Sequence, residues 1–162
     1  MVNELFCGAK GLPQSLLSYR GSAQLADGLI TLIRPDSVID LLRDGYAETR
    51  VIPFAVTAFG DILVWEKDKY VNCVSFSKHS VTVISSGFDF FFEDMADTKF
   101  LEEYFNLQLY NDAKVKFGNC HEGECYISSP LPAIAGDLKI ENLSIGKFRE
   151  YNALSIDMLG TL

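Results

Sequence analysis

The chain contains 162 residues and carries a net charge of −8, from 14 Lys and Arg against 22 Asp and Glu. This length fits one domain, and a composition of 48% hydrophobic and 22% charged residues is typical of a globular fold rather than of a disordered or fibrous chain. The negative charge disfavours a general affinity for nucleic acid or for anionic membranes, so we expect neither as a partner.

The first ten residues lack the basic and apolar regions of a secretory signal. No apolar run approaches the roughly 20 residues that a membrane span requires. We therefore expect a cytoplasmic location and, because the cytoplasm is reducing, free thiols. The four cysteines concerned are Cys7, Cys73, Cys120 and Cys125.

The segment before residue 50 predicts a helix, a turn, a strand and a second helix. Their ranges, in chain order, are 13–19, 27–28, 29–33 and 38–43. Asp36 and Ser37 are residue types that cap helix N-termini, so we expect them to begin the second helix, and Gly45 to end it.

Residues 50–85 predict the centre of the fold. Four β-rich segments, at 51–58, 62–66, 70–76 and 80–85, are separated by only two or three residues. Such short loops cannot make parallel crossovers, so the segments should form an antiparallel meander. We expect helices on one face of this sheet, and further strands from 29–33 and 124–128. The predicted fold class is α+β, as a single domain over residues 1–162 with a central antiparallel meander flanked by helices.

Residues 86–162 predict a mainly helical portion of the same domain. Asp97 and Thr98 are suited to cap a helix over 99–105, whose apolar residues recur at helical spacing. A second helix is predicted over 109–117. A strand at 124–128 and a last helix that ends at Gly160 follow.

Most of the charge lies in residues 84–112, which carry one Lys and seven acidic residues. One interpretation is a solvated helix face over an aromatic core. The other is an acidic contact surface with aromatic anchors that suits a basic protein partner. This second interpretation assigns partner binding to nine residues: Asp89, Phe90, Phe92, Glu93, Asp94, Asp97, Glu102, Glu103 and Tyr104.

The segment Cys120-His-Glu-Gly-Glu-Cys125 brings together residue types that bind metals or act as nucleophiles. No second ligand pair elsewhere completes a zinc set, and the neighbouring Cys120 and His121 would point apart in an extended chain. The chain has no GxSxG, HExxH, GxGxxG or P-loop motif. We predict no catalytic residue, metal or cofactor. A small thiol- or metal-dependent enzyme or ligand-binding protein that uses 120–125 is the alternative, and a regulatory or scaffold module is another.

Residues 57–65, Thr-Ala-Phe-Gly-Asp-Ile-Leu-Val-Trp, resemble the AFGD hairpin of the bacterial GAD-related (GAD-like) domain family. The resemblance extends over residues 1–85, through Leu12-Pro13, 27–35 and 38–42. Residues 124–127, 130–136, 140–143 and 150–154 resemble the C-terminal domain of unknown function that accompanies this family. The opening segment also resembles the SUKH superfamily, another immunity group.

This resemblance implies a cytoplasmic immunity protein that binds and neutralises a nuclease effector of a type VI secretion system. It implies no enzymatic activity, and it supplies no catalytic residues. The expected partner is therefore a cognate toxin with a basic nuclease domain, and the acidic segment is the expected contact.

Overall fold

The computed structural model describes residues 23–162. Its main sheet has six strands, each antiparallel to its neighbours and arranged in chain order. The strands are β1 (Ala23–Leu25), β2 (Ile30–Leu32), β3 (Val51–Thr57), β4 (Ile62–Glu66), β5 (Tyr70–Ser75) and β6 (Ser80–Ser85). The predicted meander and the α+β class are confirmed. The helix predicted over 13–19 and Cys7 lie outside the described residues.

Six α-helices and a small second sheet complete the described part of the chain. The helices are α1 (Ile39–Gly45), α2 (Phe88–Asp94), α3 (Thr98–Phe105), α4 (Leu107–Phe117), α5 (Pro132–Ala135) and α6 (Phe148–Leu159). The second sheet pairs β7 (Glu124–Ser128) with β8 (Leu143–Lys147). Within residues 23–162, no helix is long and apolar enough to cross a membrane.

The prediction that residues 124–128 extend the central sheet was wrong. They form a strand, but it pairs with β8 instead. Residues 143–147 pair with it over its whole length, from Glu124↔Lys147 to Ser128↔Leu143, and so supply the partner that was expected from the central sheet. The backbone N–H of Tyr126 donates to the carbonyl of Ala58 at 2.8 Å, which holds the small sheet against the end of β3.

Helices cover both faces of the central sheet, whereas we had expected one covered face. All five residues of β4 are buried, and their side chains alternate between two cores. Leu63 and Trp65 face α2, α3 and α4, while Ile62 and Val64 face α1 and α6. A strand that is buried on both faces has a nearly continuous apolar sequence instead of an alternating one.

Helix starts follow local hydrogen bonding. The predicted cap at Asp97 is confirmed, because its carboxylate accepts a hydrogen bond from the backbone N–H of Lys99 at 2.8 Å. The predicted cap at 36–37 was wrong, since Val38 precedes α1 and no side chain caps it. The Ser37 hydroxyl instead donates to the Arg34 carbonyl at 2.6 Å within a 3-10 turn.

The hairpin between β3 and β4 connects the sheet to the C-terminal elements. Gly60 adopts a φ of 88°, which favours glycine, and its carbonyl accepts a hydrogen bond from the side-chain amide of Asn152 at 3.0 Å. A Cβ at this position would lie 3.3 Å from both Cys125 and Tyr151. The hairpin that carries the sequence resemblance is therefore a packing centre, and it fixes α6 against the sheet.

Candidate functional site

Helix α2 presents an acidic and aromatic outer face. Phe88 and Phe91 are buried against the sheet. The remaining five side chains of the helix are exposed, and all five belong to the predicted contact set: Asp89, Phe90, Phe92, Glu93 and Asp94. Positions three and four residues apart are neighbours on a helix surface, so these side chains form one continuous patch.

The carboxylates of α2 have no partner within the described part of the chain. Asp89, Glu93 and Asp94 make no side-chain hydrogen bond and no ion pair there. Lys99, the only base between residues 84 and 112, also forms no ion pair within residues 23–162. Because these carboxylates are not neutralised locally, the patch projects negative charge into solvent.

The acidic residues at the start of α3 and within it fall into two groups. Two of them hydrogen-bond to the backbone, and one has no partner within residues 23–162. Asp97 caps the helix, and Glu102 accepts a hydrogen bond at 2.7 Å from the backbone N–H of Gln108 at the start of α4. Glu103 is exposed and has no partner within residues 23–162. Asp97 and Glu102 thus stabilise helix starts, whereas Glu103 is available for a contact.

The three predicted aromatic anchors differ in exposure. Phe90 is 61% exposed, which is the highest exposed fraction of any phenylalanine or tryptophan among the described residues. Phe92 is 36% exposed, and its ring lies 5.4 Å from that of Phe91. Tyr104 is half-buried, with its ring 5.0 Å from that of Phe100. Phe90 is therefore the best placed of the three to enter a pocket on a partner.

We use the name acidic patch for the exposed residues of α2 together with Glu103. Both helices pack on the same sheet face, through Phe88, Phe91, Leu101 and Phe105. The rings of Phe91 and Phe100 join the two helices at a centroid distance of 6.5 Å. The acidic patch thus lies on the outside of a rigid aromatic layer.

A groove of about 650 Å³ lies on another part of the surface, beside the loop at 119–123. Most of the charged residues that line it form ion pairs. Lys114 pairs with Asp27, and Arg149 with Asp40. Lys147 pairs at 3.0 Å with Glu124, which also lines the groove. Of the charged residues that line the groove, Glu122 alone makes no ion pair within residues 23–162, so the groove carries less unpaired charge than the acidic patch.

The thiols beside this groove are poorly suited to nucleophilic chemistry. Burial raises the pKa of Cys120 to about 11, and it raises the pKa of Cys125 further. A reactive cysteine requires the opposite shift, because the thiolate is the nucleophile. Within residues 23–162, no three His, Cys, Asp or Glu side chains come together as a metal site.

Two buried polar clusters support the sheet. Glu66 accepts hydrogen bonds at 2.7 Å from the Tyr46 hydroxyl and from the Asn72 amide. Burial alone would raise the pKa of Glu66, but these bonds and the Lys67 ammonium outweigh it and hold the pKa below its usual value. In the second cluster, the Asp61 carboxylate 3.4 Å away raises the pKa of Lys78.

Comparison with known proteins bears on the segment that carries the acidic patch. Residues 85–159 match the family model described as T6SS immunity protein Tdi1, C-terminal. This match covers just under half of the chain and includes α2 to α6. It supports the type VI secretion immunity group and, with it, an immunity role.

The fold as a whole resembles a solved structure. The similar protein is described as "Crystal structure of Atu4351 from Agrobacterium tumefaciens". The TM-score is 0.61 at 17% sequence identity, and the similarity covers 94% of this chain and 79% of that one. At this identity the likeness shows the fold alone. No curated protein matches the chain.

Sequence reasoning missed two features that matter for binding. It assigned no helix to 88–94, because four phenylalanines in five residues hide the 3.6-residue period. It also treated β6 as an ordinary strand of the meander. The sequence of that strand, Ser-Val-Thr-Val-Ile-Ser, contains none of the charges or prolines that usually mark an edge, so no local signal pointed to its open side.

Proposed function

We propose that this chain is an immunity protein that binds a cognate type VI secretion toxin and neutralises it by protein–protein contact. The observation that carries the proposal is that the segment matching the immunity family, residues 85–159, contains the whole acidic patch. We extend the proposal to a cytoplasmic, non-enzymatic protein. The GAD-like resemblance of residues 1–85, for which the family match gives no support, stays a prediction.

The charge of the patch favours a basic toxin domain. Enzymes that cleave nucleic acids bind phosphates through Lys and Arg, so an acidic protein surface can occupy the same groups. Three carboxylates on α2 and one on α3, which have no partner within residues 23–162, supply this complementarity. We therefore propose a nuclease toxin, inhibited either by a plugged active-site cleft or by a blocked approach of its substrate.

Phe90 supplies the apolar part of the proposed contact. Interfaces depend on a few buried aromatic or arginine side chains that are surrounded by polar groups. Phe90 is 61% exposed, and acidic residues adjoin it along α2. In this arrangement the charges accelerate association and the aromatic ring slows dissociation.

A charge-reversal experiment tests the patch. The triple variant Asp89→Lys, Glu93→Lys and Asp94→Lys would be compared with a control that changes three exposed acidic residues elsewhere: Asp137, Glu141 and Asp157. Both variants change the net charge by the same amount. The binding partner is the product of the open reading frame adjacent to this chain's gene, and affinity is measured by calorimetry at low and high salt.

We expect the patch variant to lose at least about tenfold in affinity, since three favourable charge pairs become repulsive. Its affinity should also depend less on salt. The control variant should stay within about threefold of the wild type, because its substitutions lie outside the patch. Equal losses in the two variants would contradict the assignment of the contact to the patch.

The alternative of a thiol- or metal-dependent activity at residues 120–125 predicts a reactive thiol or a bound metal. Thiol titration and elemental analysis would detect either one. The raised pKa of both cysteines opposes this alternative. A regulatory or scaffold module predicts instead that no toxin gene lies beside the gene for this chain.

A further inference from the structure

Strand β6 is an open edge of the central sheet. Within residues 23–162, it pairs with β5 alone, and its other side carries no strand. Its first four residues, 80–83, are half-buried or exposed, whereas Ile84 and Ser85 are buried. An edge of this kind presents unpaired backbone N–H and C=O groups along its length.

This edge lacks the devices that usually prevent pairing with another chain. Natural edge strands are protected by charged side chains, by proline, by shortness or by a bulge. Residues 80–85 contain neither a charge nor a proline. The one shift in register lies at the end next to α2, between the pairs Val71↔Ser85 and Asn72↔Val83, so residues 80–83 are regular.

The side chains of the edge are apolar and accessible. Val81 is 38% exposed and Val83 is 55% exposed. Val81 pairs with Val74 of β5, and Val83 pairs with Asn72, so both valines lie on one face of the sheet. Nearer the centre of the sheet, α1 and α6 cover this same face. An added strand could place alternate apolar side chains beside these two valines.

We propose that the edge of β6 receives an extended, basic segment of the toxin as a seventh strand of the sheet. This inference rests on the proposed function, and it adds the β6 edge to the acidic patch as a second part of the same interface. β6 continues through Ser86 and Gly87 into α2, so a segment that pairs with β6 ends near the start of α2, where Asp89 has no partner within residues 23–162. We therefore expect a Lys or Arg at that end of the segment.

A second copy of this chain fits the edge less well. Self-pairing would use the same six residues on each side, far fewer than the 20 to 30 or so residues per partner of a stable interface. Each copy also carries a net charge of −8, which adds repulsion. A toxin that contacts the acidic patch at the same time reaches the required area with opposite charge.

Hydrogen exchange distinguishes strand addition from side-chain contact. We would compare the free chain with its complex with the adjacent-gene product, and follow the amides of residues 80–85. Those that exchange rapidly in the free chain should slow by at least about tenfold in the complex, because an added strand protects backbone N–H groups. Strand β8 is the internal control, since within residues 23–162 it also pairs with one strand only, and its exchange should not change.

The affinity of two variants for the adjacent-gene product tests strand addition independently. Val83→Lys should weaken the complex by at least about tenfold, since it places a cation where a basic, partly apolar strand docks. Val115→Lys is the matched control, at a valine on α4 that is 89% exposed, and it should leave affinity within about twofold of the wild type.

Each outcome decides between the two proposals. A complex in which β6 exchanges as fast as in the free chain overturns strand addition and leaves the proposed function standing. Protection of β6 in the free chain that increases with protein concentration overturns it in favour of a second copy. A failure to form any complex overturns the proposed function, and this inference with it.

Discussion

Replacing Phe90 and Phe91 with alanine, one at a time, should separate binding from folding. The two residues are neighbours on α2 with opposite environments. Phe91 is fully buried, whereas Phe90 is 61% exposed. The ring of Phe91 lies 5.4 to 6.5 Å from four other rings, those of Phe54, Phe88, Phe92 and Phe100. Phe91 is therefore part of the core, and Phe90 is part of the surface.

The expected magnitudes follow from these environments. Phe91→Ala should lower the free energy of unfolding by about 3–5 kcal/mol, because it removes a buried ring and leaves a cavity. For a chain of this size, that corresponds to a fall in Tm of roughly 6–20 °C. Phe90→Ala should change the free energy of unfolding by no more than about 0.5 kcal/mol. It should nevertheless weaken toxin binding by about 2 kcal/mol, or roughly 30-fold.

Urea denaturation and calorimetric titration with the adjacent-gene product measure these two effects separately. Phe91→Ala, studied well below its unfolding transition, should keep most of its affinity. The reasoning is refuted if Phe90→Ala destabilises the fold as much as Phe91→Ala, or if Phe90→Ala binds as tightly as the wild type. The first result would mean that the Phe90 ring is packed, and the second that it does not anchor the partner.

Three further predictions concern stability and can be checked by denaturation. Gly45→Ala should cost about 1–3 kcal/mol, because the new Cβ would lie 2.6 Å from Ile156; a neutral result would mean that α1 and α6 are looser than described. Asp97→Ala should cost about 1 kcal/mol through loss of the bond to Lys99, whereas Asp97→Asn should keep most of it. The pKa of Glu66 is lowered in the fold, so its contribution to stability is complete above the ordinary carboxyl pKa and is lost as the pH falls below it. Glu66→Gln should therefore reduce the acid-induced loss of stability, and an unchanged pH profile would contradict this.

The central sheet could be predicted from the sequence because its signals are local. Strands β3 to β6 are β-rich runs joined by three or four residues, and such loops allow only antiparallel neighbours. The cap at Asp97 and the helix end at Gly160 also depend on nearby residues alone. In contrast, β1 has only three residues, and this is too short for an alternating pattern to be visible.

The rest of the architecture depends on contacts that are distant along the chain. The partner of β7 could not be predicted, because residues 143–147 carry no strong strand pattern and only the fold brings them together. The exposure of Phe90, against the burial of Phe91, depends on how α2 rotates against the sheet. The acidic residues lie in one segment of the sequence, but only the structure separates those that bond to backbone N–H groups from those that have no partner within residues 23–162.

The most direct test of the central claim is co-expression of this chain with the product of the adjacent open reading frame, with host survival and co-purification scored together. We predict that the adjacent product is toxic alone, that survival requires this chain, and that the two proteins purify as a stable complex. A harmless adjacent product that forms no complex would contradict the immunity function.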